Sequence, residues 1–250
     1  MSSHIDSQKI SAMRIGGKKL AQVRDELMTS TRAGMHFDEI EKKAQQLIHV
    51  AGAQPNFSLV PGYHWATCLM KNDEMCHGIP HHEKIVNDGD LMTIDIGLLY
   101  QGYNLDTTVS FFVGETTPKN EEFLETSKKA LARAIEQAVV GNSVFDVSFA
   151  MQKIVERKGY GMVYQLTGHG IGKELHEDPA IPCIAQRSDK RKKLFVGETI
   201  AIEVMSAMGN PFLILDKDGW TYRTADHSLA AMVEETVLVT ENGPEILTKA

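Results

Sequence analysis

Four carboxylates in this sequence have the type and spacing of a metal site. Asp95 and Glu203 each lie inside an apolar segment whose composition is typical of a strand buried on both faces. A lone buried carboxylate is costly unless it is protonated, paired or metal-bound. A second acid follows each of them where the next strand is predicted: Asp106 begins the strand after Asp95, and Glu234 directly precedes the last predicted strand, after Glu203. Because like charges repel, four converging carboxylates require cations, and an oxygen-rich site favours Mg, Mn, Fe or Co over a structural zinc.

His169 is the imidazole that best completes such a site. It lies in TGHGIG between Gly168 and Gly170, which allow another backbone to come close. One imidazole and four carboxylates are sufficient for two metal ions if two acids bridge them, and two-metal sites hydrolyse carbonyl compounds. His77 and His176 are then candidates to orient a substrate. The alternative for each acid taken alone is a solvent-facing position at a strand edge or turn.

The chain contains an internal repeat that would bring these residues together. Segments 89–95 and 197–203 share a glycine and an acid followed by an apolar strand, and a Phe-Asp pair opens a helical pattern at 37–38 and again at 145–146. Both pairs of segments have the same separation along the chain. The repeat therefore predicts a pseudo-two-fold arrangement in which strands from both halves share one sheet.

The spacing of apolar residues predicts the helices and strands of each half. Apolar residues at helical spacing predict four helices, and apolar runs predict strands after each pair of helices. The predicted strands are 91–100, 106–113, 198–205 and 235–240. We predict an α+β fold with helices on one face of the sheet, in a single catalytic domain over residues 1–250. Its halves are about 1–115 and 116–250, joined by a linker near 113–120.

Composition excludes several classes of protein. The 250 residues are 42% hydrophobic and 24% charged, which is ordinary for a globular domain. The net charge of -7 argues against general nucleic-acid binding. No apolar run approaches the roughly 18 residues of a membrane span, and residues 1–10 do not resemble a secretory signal. Three cysteines without CxxC spacing fit a reducing cytoplasm better than a disulfide scaffold.

At these residues the sequence resembles methionine aminopeptidase of type I, in the creatinase/aminopeptidase family with the pita-bread fold. The motifs that carry the resemblance are NDEMCHGIP (72–80), TIDIG (93–97), NLDTT (104–108), GHGIGKELHEDP (168–179), AIEVM (201–205) and EETVLVT (234–240). The resemblance implies five ligands for two divalent ions, which would be Co, Mn, Fe or Zn. These ligands are Asp95, Asp106, His169, Glu203 and Glu234, of which Asp106 and Glu234 would bridge the ions.

The same resemblance implies roles for the remaining candidates. His77 and His176 would contact the substrate and the tetrahedral intermediate, and Glu203 would steer the proton of the attacking water. Tyr63, Cys68 and Trp220 fall where the family lines its methionine pocket. Four other positions depart from the family pattern and are expected to keep the pocket apolar but change its shape: Phe57, Val60, His64 and Leu175.

The expected activity is removal of an N-terminal methionine that precedes a small residue, in peptides and nascent chains. The enzyme is expected to be a cytoplasmic monomer without membrane contact. Five basic residues within 187–193 indicate a solvated loop or a transient contact with ribosomal RNA. One alternative is an Xaa-Pro aminopeptidase or prolidase, but those enzymes usually carry arginine where this chain has Met232. The other is a non-catalytic binding protein, which would be expected to have lost metal ligands.

Overall fold

Helices and a large sheet form the part of the chain that the structure, a computed structural model, describes: residues 6–250. The five residues before it, which the predicted domain includes, lie outside the described residues. The helices are α1 (Ser7–Ser30), α2 (Phe37–Val50), α3 (Pro118–Ile135) and α4 (Val144–Arg157). The strands are β1 (Gln54–Pro55), β2 (Thr67–Lys71), β3 (Glu74–Cys76), β4 (Leu91–Tyr100), β5 (Tyr103–Phe112), β6 (Gly161–Met162), β7 (Thr167–Gly170), β8 (Glu177–Pro182), β9 (Thr199–Ala207), β10 (Leu213–Leu215), β11 (Tyr222–Thr224), β12 (Ala230–Thr240) and β13 (Gly243–Ile246).

Local sequence accounts for where the helices begin. The Asp6 side chain accepts hydrogen bonds from the backbone N–H groups of Gln8 and Lys9 at the start of α1. Thr117 caps α3 in the same way. The two glycines inside α1 do not interrupt it. A Cβ atom on Gly17 would lie 2.3 Å from the Leu247 carbonyl oxygen, so glycine lets this helix pack directly on the chain beneath it.

The main sheet is antiparallel and joins the two halves of the chain. Its strand order is β1-β4-β5-β12-β9-β7-β8, with β2 on β4, β6 on β9 and β13 on β12. The central β5–β12 pair connects the hairpin of the first half with the β9–β12 pair of the second. β12 begins at Ala230, not at 235, because it pairs with β9 over nine consecutive residues. A second sheet has the order β10-β11-β3.

Alternation along the strands separates the carboxylates from the hydrophobic core. On β4, Ile94 and Ile96 pack in a core cluster with residues of α1 and α2, and Asp95 points to the opposite face. On β9, Ile202 and Val204 pack with α3 and α4, and Glu203 points away from them. The helices therefore cover one face and the acids occupy the other. Within residues 6–250, no helix combines the length and hydrophobicity that crossing a membrane requires.

A candidate metal centre beside an apolar pocket

A cavity of about 390 Å³ opens on the sheet face opposite the helices. It brings together all ten residues singled out as ligands, catalytic groups or pocket: Tyr63, Cys68, His77, Asp95, Asp106, His169, His176, Glu203, Trp220 and Glu234. Phe57, Val60 and Leu175 also line it. His64 does not line the cavity, so its side chain does not contribute a wall of the pocket. It is exposed in the irregular segment that follows Tyr63, where its ring lies 6.0 Å from that of Trp65.

The four acids are held by adjacent strands in a fixed register. Glu203 on β9 lies directly opposite Glu234 on β12. Thr108 on β5 lies opposite both Asp95 and Glu234, on the strands either side of it. Asp106 faces Gly97, the glycine of the TIDIG motif. Each acid is at most 6% exposed, so neighbouring groups rather than solvent must balance its charge.

The Thr108 hydroxyl lies between two of these acids. Its Oγ1 is 3.0 Å from Asp95 Oδ1 and 2.7 Å from Glu234 Oε2. A hydroxyl has one proton, so it donates to only one carboxylate at a time. The other acid needs a proton or a cation at the same place. Thr108 therefore orients both carboxylates without neutralising them.

His169 presents one free nitrogen to the acids. Its Nδ1 lies 2.9 Å from the Gly170 carbonyl oxygen and donates its proton to it. Nε2 then carries a lone pair, and it lies 3.5 Å from Glu203 Oε1. Burial, followed by the neighbouring His176, lowers the pKa of His169 to about 4, so the ring is neutral. A neutral imidazole oriented through its other nitrogen is the usual form of a histidine ligand.

The glycines beside His169 allow the close approach expected from the sequence. A Cβ atom on Gly168 would lie 2.5 Å from the Ala201 carbonyl oxygen, and one on Gly170 would lie 2.2 Å from that of Asp178. Both distances are below any real Cβ contact. The glycines therefore let β7 lie tightly between β9 and β8, which places His169 opposite Ala201 and next to Glu203.

The buried acids need positive charge close to them. Burial raises the pKa of Asp95 to about 7, and burial together with the neighbouring acids raises the pKa values of Asp106, Glu203 and Glu234 well above their usual range. Glu234 Oε1 is buried without a hydrogen-bond partner. Ligand atoms of Asp106, His169 and Glu234 all lie within 4.8 Å of one another. The residues therefore fit divalent cations, which would neutralise the acids and occupy the unpaired oxygen.

Glu235, the neighbour of Glu234, lies on the other face of the sheet. Its Oε1 is 3.1 Å from Nη1 of Arg24 on α1. The same Arg24 nitrogen lies 2.9 Å from the Thr107 hydroxyl. Glu235 is thus paired among the helices, and Glu234 alone of the two faces the cavity.

Two further histidines lie along the cavity. The His176 ring is 4.5 Å from that of His169, in an edge-on arrangement. His77 is half-buried and has a left-handed backbone with φ of 56°, which is uncommon for a residue with a side chain. Burial lowers the pKa values of both His77 and His176. At neutral pH each offers an uncharged ring that can donate one hydrogen bond.

The apolar part of the cavity adjoins the acids directly. Cys68 on β2 is paired with Asp95 on β4. The Tyr63 ring lies 5.1 Å from that of Trp220, and its hydroxyl donates to the Thr67 carbonyl oxygen at 2.8 Å. Phe57 packs over Gly97, where a Cβ atom would come within 2.8 Å of its ring. A bound apolar side chain would therefore place the next peptide bond beside the carboxylates.

Sequence reasoning missed several residues of the site. Thr108 lies two positions after Asp106 and Met232 two positions before Glu234, so strand alternation places both on the cavity face. Cys76 precedes His77 and also lines the cavity. Residues 165–167 line it as well, and nothing in their types indicates this.

Comparison with known proteins now identifies the family. The family model described as metallopeptidase family M24 matches residues 11–241. The chain belongs to this metallopeptidase family. It is 35% identical over 240 residues to a protein of Clostridium acetobutylicum named methionine aminopeptidase, covering 96% of each chain. A protein of Aquifex aeolicus with the same name is 34% identical over 249 residues, covering 97% of this chain and 96% of that one.

Solved structures confirm the predicted fold. The methionine aminopeptidase of Thermotoga maritima superposes with a TM-score of 0.94 at 36% identity, over 98% of both chains. The prolidase of Pyrococcus furiosus has a TM-score of 0.79 at 27% identity and is covered over only 64% of its length. The pita-bread fold of family M24 is thus common to both enzyme classes. The chain matches the methionine aminopeptidase over nearly its whole length and the prolidase over only part of its length, which favours the aminopeptidases.

Proposed function

We propose that this chain is a metal-dependent aminopeptidase that removes the N-terminal methionine of peptides and nascent proteins when the second residue is small. The observation that carries the proposal is the register of Cys68 with Asp95, which joins an apolar pocket to a cluster of buried metal-binding groups. A substrate whose first side chain fills the pocket has its first peptide bond at this junction. The full-length similarity to enzymes named methionine aminopeptidase supports the same function.

We propose that the centre holds two divalent ions, Co, Mn, Fe or Zn, on Asp95, Asp106, His169, Glu203 and Glu234. Asp106 and Glu234 are the bridging candidates by the family resemblance, and their ligand atoms lie within 4.8 Å of each other and of that of His169. When bound, such ions polarise a carbonyl group and make water nucleophilic at neutral pH. The ions also offset the mutual repulsion of the buried acids.

Side chains of this chain perform the proton transfer, the stabilisation of the oxyanion and the binding of the substrate. Glu203, beside His169, is the carboxylate that we propose accepts the proton of the attacking water. His176 donates a hydrogen bond to the oxygen that becomes negatively charged, since its lowered pKa keeps the ring neutral. His77, fixed by its backbone, orients the substrate amide. Tyr63, Cys68 and Trp220 hold the methionine side chain.

The pocket predicts how well the enzyme discriminates between substrates. An unbranched, polarisable methionine side chain adapts to an irregular pocket lined by Phe57 and Trp220, whereas the branch at leucine Cγ does not follow the same path. We expect kcat/KM for Met-Ala-Ser to exceed that for Leu-Ala-Ser by about 10- to 200-fold, the range of a hydrophobic pocket acting on close analogues. Met-Leu-Ser should be cleaved at least about tenfold more slowly, because its second side chain meets His77.

The same assay tests the specificity of the pocket independently of the activity of the metal centre. Equal values for Met-Ala-Ser and Leu-Ala-Ser would show that Phe57, Val60 and Leu175 have widened the specificity. That result would reject the methionine assignment and leave a metal-dependent aminopeptidase. Cleavage of Xaa-Pro peptides in preference to all three would support the prolidase alternative.

We further propose that residues 1–250 form one catalytic domain with repeat halves of about 1–115 and 116–250. It would act as a monomer in the cytoplasm, where nascent chains emerge. The basic segment supports a transient ribosome contact. It forms a short 3-10 helix, Arg187–Arg191, in which Lys190 lies 4.7 Å from the centre of the Phe145 ring. Basic and aromatic groups together suit RNA backbone and bases.

Charge reversal tests the ribosome contact. Arg187, Arg191 and Lys193 are exposed, so changing all three to Glu should abolish co-sedimentation with ribosomes at low salt and leave peptide cleavage unchanged. The matched control reverses Lys18, Lys128 and Lys129, which are also exposed but lie on other elements. Co-sedimentation that persists in the first variant would discard the contact.

A further inference from the structure

Two histidines and an aspartate meet on the surface where the start of α2 contacts the segment 77–86. Backbone hydrogen bonds hold the two together: Phe37 N–H donates to the Lys84 carbonyl at 2.9 Å, and Val86 N–H donates to that of Met35 at 2.9 Å. His36, at the N-cap of α2, and His82, in the segment, are thereby brought face to face. His36 and His82, and the aspartate beside them, do not line the catalytic cavity.

The side chains form a compact group. The rings of His36 and His82 are stacked, with centroids 4.3 Å apart and planes 6° from parallel. His82 Nδ1 lies 3.0 Å from Asp38 Oδ1. One ligand atom from each of the three residues lies within 4.8 Å of the others, a grouping shared by only one other set of residues in 6–250. That other set contains Asp106, His169 and Glu234, three of the five candidate ligands of the catalytic centre.

Hydrogen bonds fix which nitrogen of His36 is free. His36 Nδ1 lies 2.6 Å from the His82 carbonyl oxygen, which can only accept, so Nδ1 carries the proton. The lone pair is therefore on Nε2. Asp38 is ionised, because Lys42 and then His82 hold its pKa at about 2. His82 Nδ1 faces Asp38 Oδ1 at 3.0 Å, so an ion lying between these two atoms would replace the proton that they share. Nδ1–H donation to a carbonyl or carboxylate is the arrangement that orients histidine ligands in metal sites.

From this arrangement we propose that His36, His82 and Asp38 form a second binding site, for a divalent ion of the Zn²⁺ or Ni²⁺ class. Two imidazoles and one carboxylate suit these ions, whereas Mg²⁺ and Ca²⁺ prefer oxygen ligands. Three protein ligands leave a coordination position for water. The site differs in donor chemistry from the oxygen-rich catalytic centre and does not depend on the function proposed for it.

Three features oppose binding of the ion, and each is offset. The positive end of the α2 dipole disfavours a cation, but Asp38 and Glu39 lie in the first turn and counter it. Lys42 donates to Asp38 Oδ2 at 2.7 Å, and Oδ1 lies 3.0 Å from His82 Nδ1, so the ion would take the place of the proton between His82 and Oδ1. Ligands of a tetrahedral zinc are about 3.4 Å apart, so one ring must rotate inward. The His82 side chain is 67% exposed and free to do so.

The ion would add a cross-link between α2 and the segment 77–86. This segment begins at His77, which lines the catalytic cavity. The cross-link would join side chains across a contact that is now held mainly by backbone hydrogen bonds. Occupancy should therefore stabilise the segment against thermal unfolding.

Equilibrium dialysis of the full chain against Zn²⁺ tests the proposal. The wild-type chain should bind one ion more than His82→Ala, and Asp38→Asn should bind that ion more weakly. His227→Ala is the matched control, because His227 also pairs with an aspartate, Asp73, at 2.7 Å. Its side chain is 68% exposed, but it belongs to no three-ligand group among residues 6–250. Peptide cleavage should be unchanged in all three variants, which shows that the catalytic centre remains loaded.

The outcomes are distinct. One ion lost in His82→Ala and none in His227→Ala supports the site, as does a rise in melting temperature with Zn²⁺ that His82→Ala abolishes. Equal stoichiometry in wild type and His82→Ala overturns it. An equal loss in His227→Ala also overturns it, because the measured binding would then be a general property of exposed histidines and not of this group.

Discussion

Replacing Asp106 with Asn should reduce methionine release by more than about 10³-fold, equivalent to about 4 kcal/mol of transition-state stabilisation. Asp106 is 5% exposed, and its ligand atom lies within 4.8 Å of those of His169 and Glu234. The amide removes one negative charge from the position between the two proposed ions. An amide also bridges two metal ions less well than a carboxylate. The measurement is kcat/KM for Met-Ala-Ser at saturating Mn²⁺, together with the number of ions bound per chain.

Glu235→Gln is the matched control for this substitution. It makes the same acid-to-amide change at a residue of β12 that lies opposite Thr107 on β5, but on the helix side of the sheet. We expect its cleavage rate to stay near wild type and its stability to fall, because Arg24 loses a charged partner. Circular dichroism should show that Asp106→Asn remains folded. An Asp106→Asn variant that is folded and retains substantial activity would contradict the two-ion centre.

Replacing His176 with Ala should lower kcat by about 10² to 10³-fold, with a much smaller change in KM. The reason is that a neutral imidazole donor at the mouth of the cavity strengthens its hydrogen bond only as the carbonyl oxygen becomes negative. Loss of one such donor removes transition-state stabilisation and little ground-state binding. The check is steady-state kinetics with Met-Ala-Ser, compared with His64→Ala.

His64 is a suitable comparison because it is an exposed histidine close to the pocket that does not line it. Replacing His64 with Ala should leave both kcat and KM unchanged. An unchanged kcat in His176→Ala would show that His176 has a structural role. A rise in KM alone would show that it binds the substrate without acting on the transition state.

The metal-binding residues could be predicted because burial and charge conflict in the sequence itself. Asp95 and Glu203 interrupt apolar strands, and only pairing or cations resolve that conflict. The repeat then indicated that both strands share one sheet. Glu234 was distinguished from Glu235 by the family pattern alone, and the structure supplies the physical reason: alternation turns Glu235 towards Arg24.

Other parts of the site depend on contacts that one sequence does not reveal. His64 follows Tyr63 directly, yet its side chain is exposed whereas that of Tyr63 is buried, and no residue type in this irregular segment indicates which of the two faces the pocket. The start of β12 was missed since its first residues are apolar on both faces, and only pairing with β9 defines them. The group formed by His36 and His82 joins residues 46 positions apart, and neither residue carries a local signal.

The most direct test of the account is methionine release from Met-Ala-Ser by protein from which metal has been removed with a chelator. The chelated protein should be inactive. Addition of Mn²⁺ or Co²⁺ should restore free methionine, and an Ala-Pro-Ser peptide should remain uncleaved under the same conditions. Methionine release by the chelated protein, or no release after metal is restored, would contradict the central claim that this fold positions buried carboxylates for metal-dependent methionine removal.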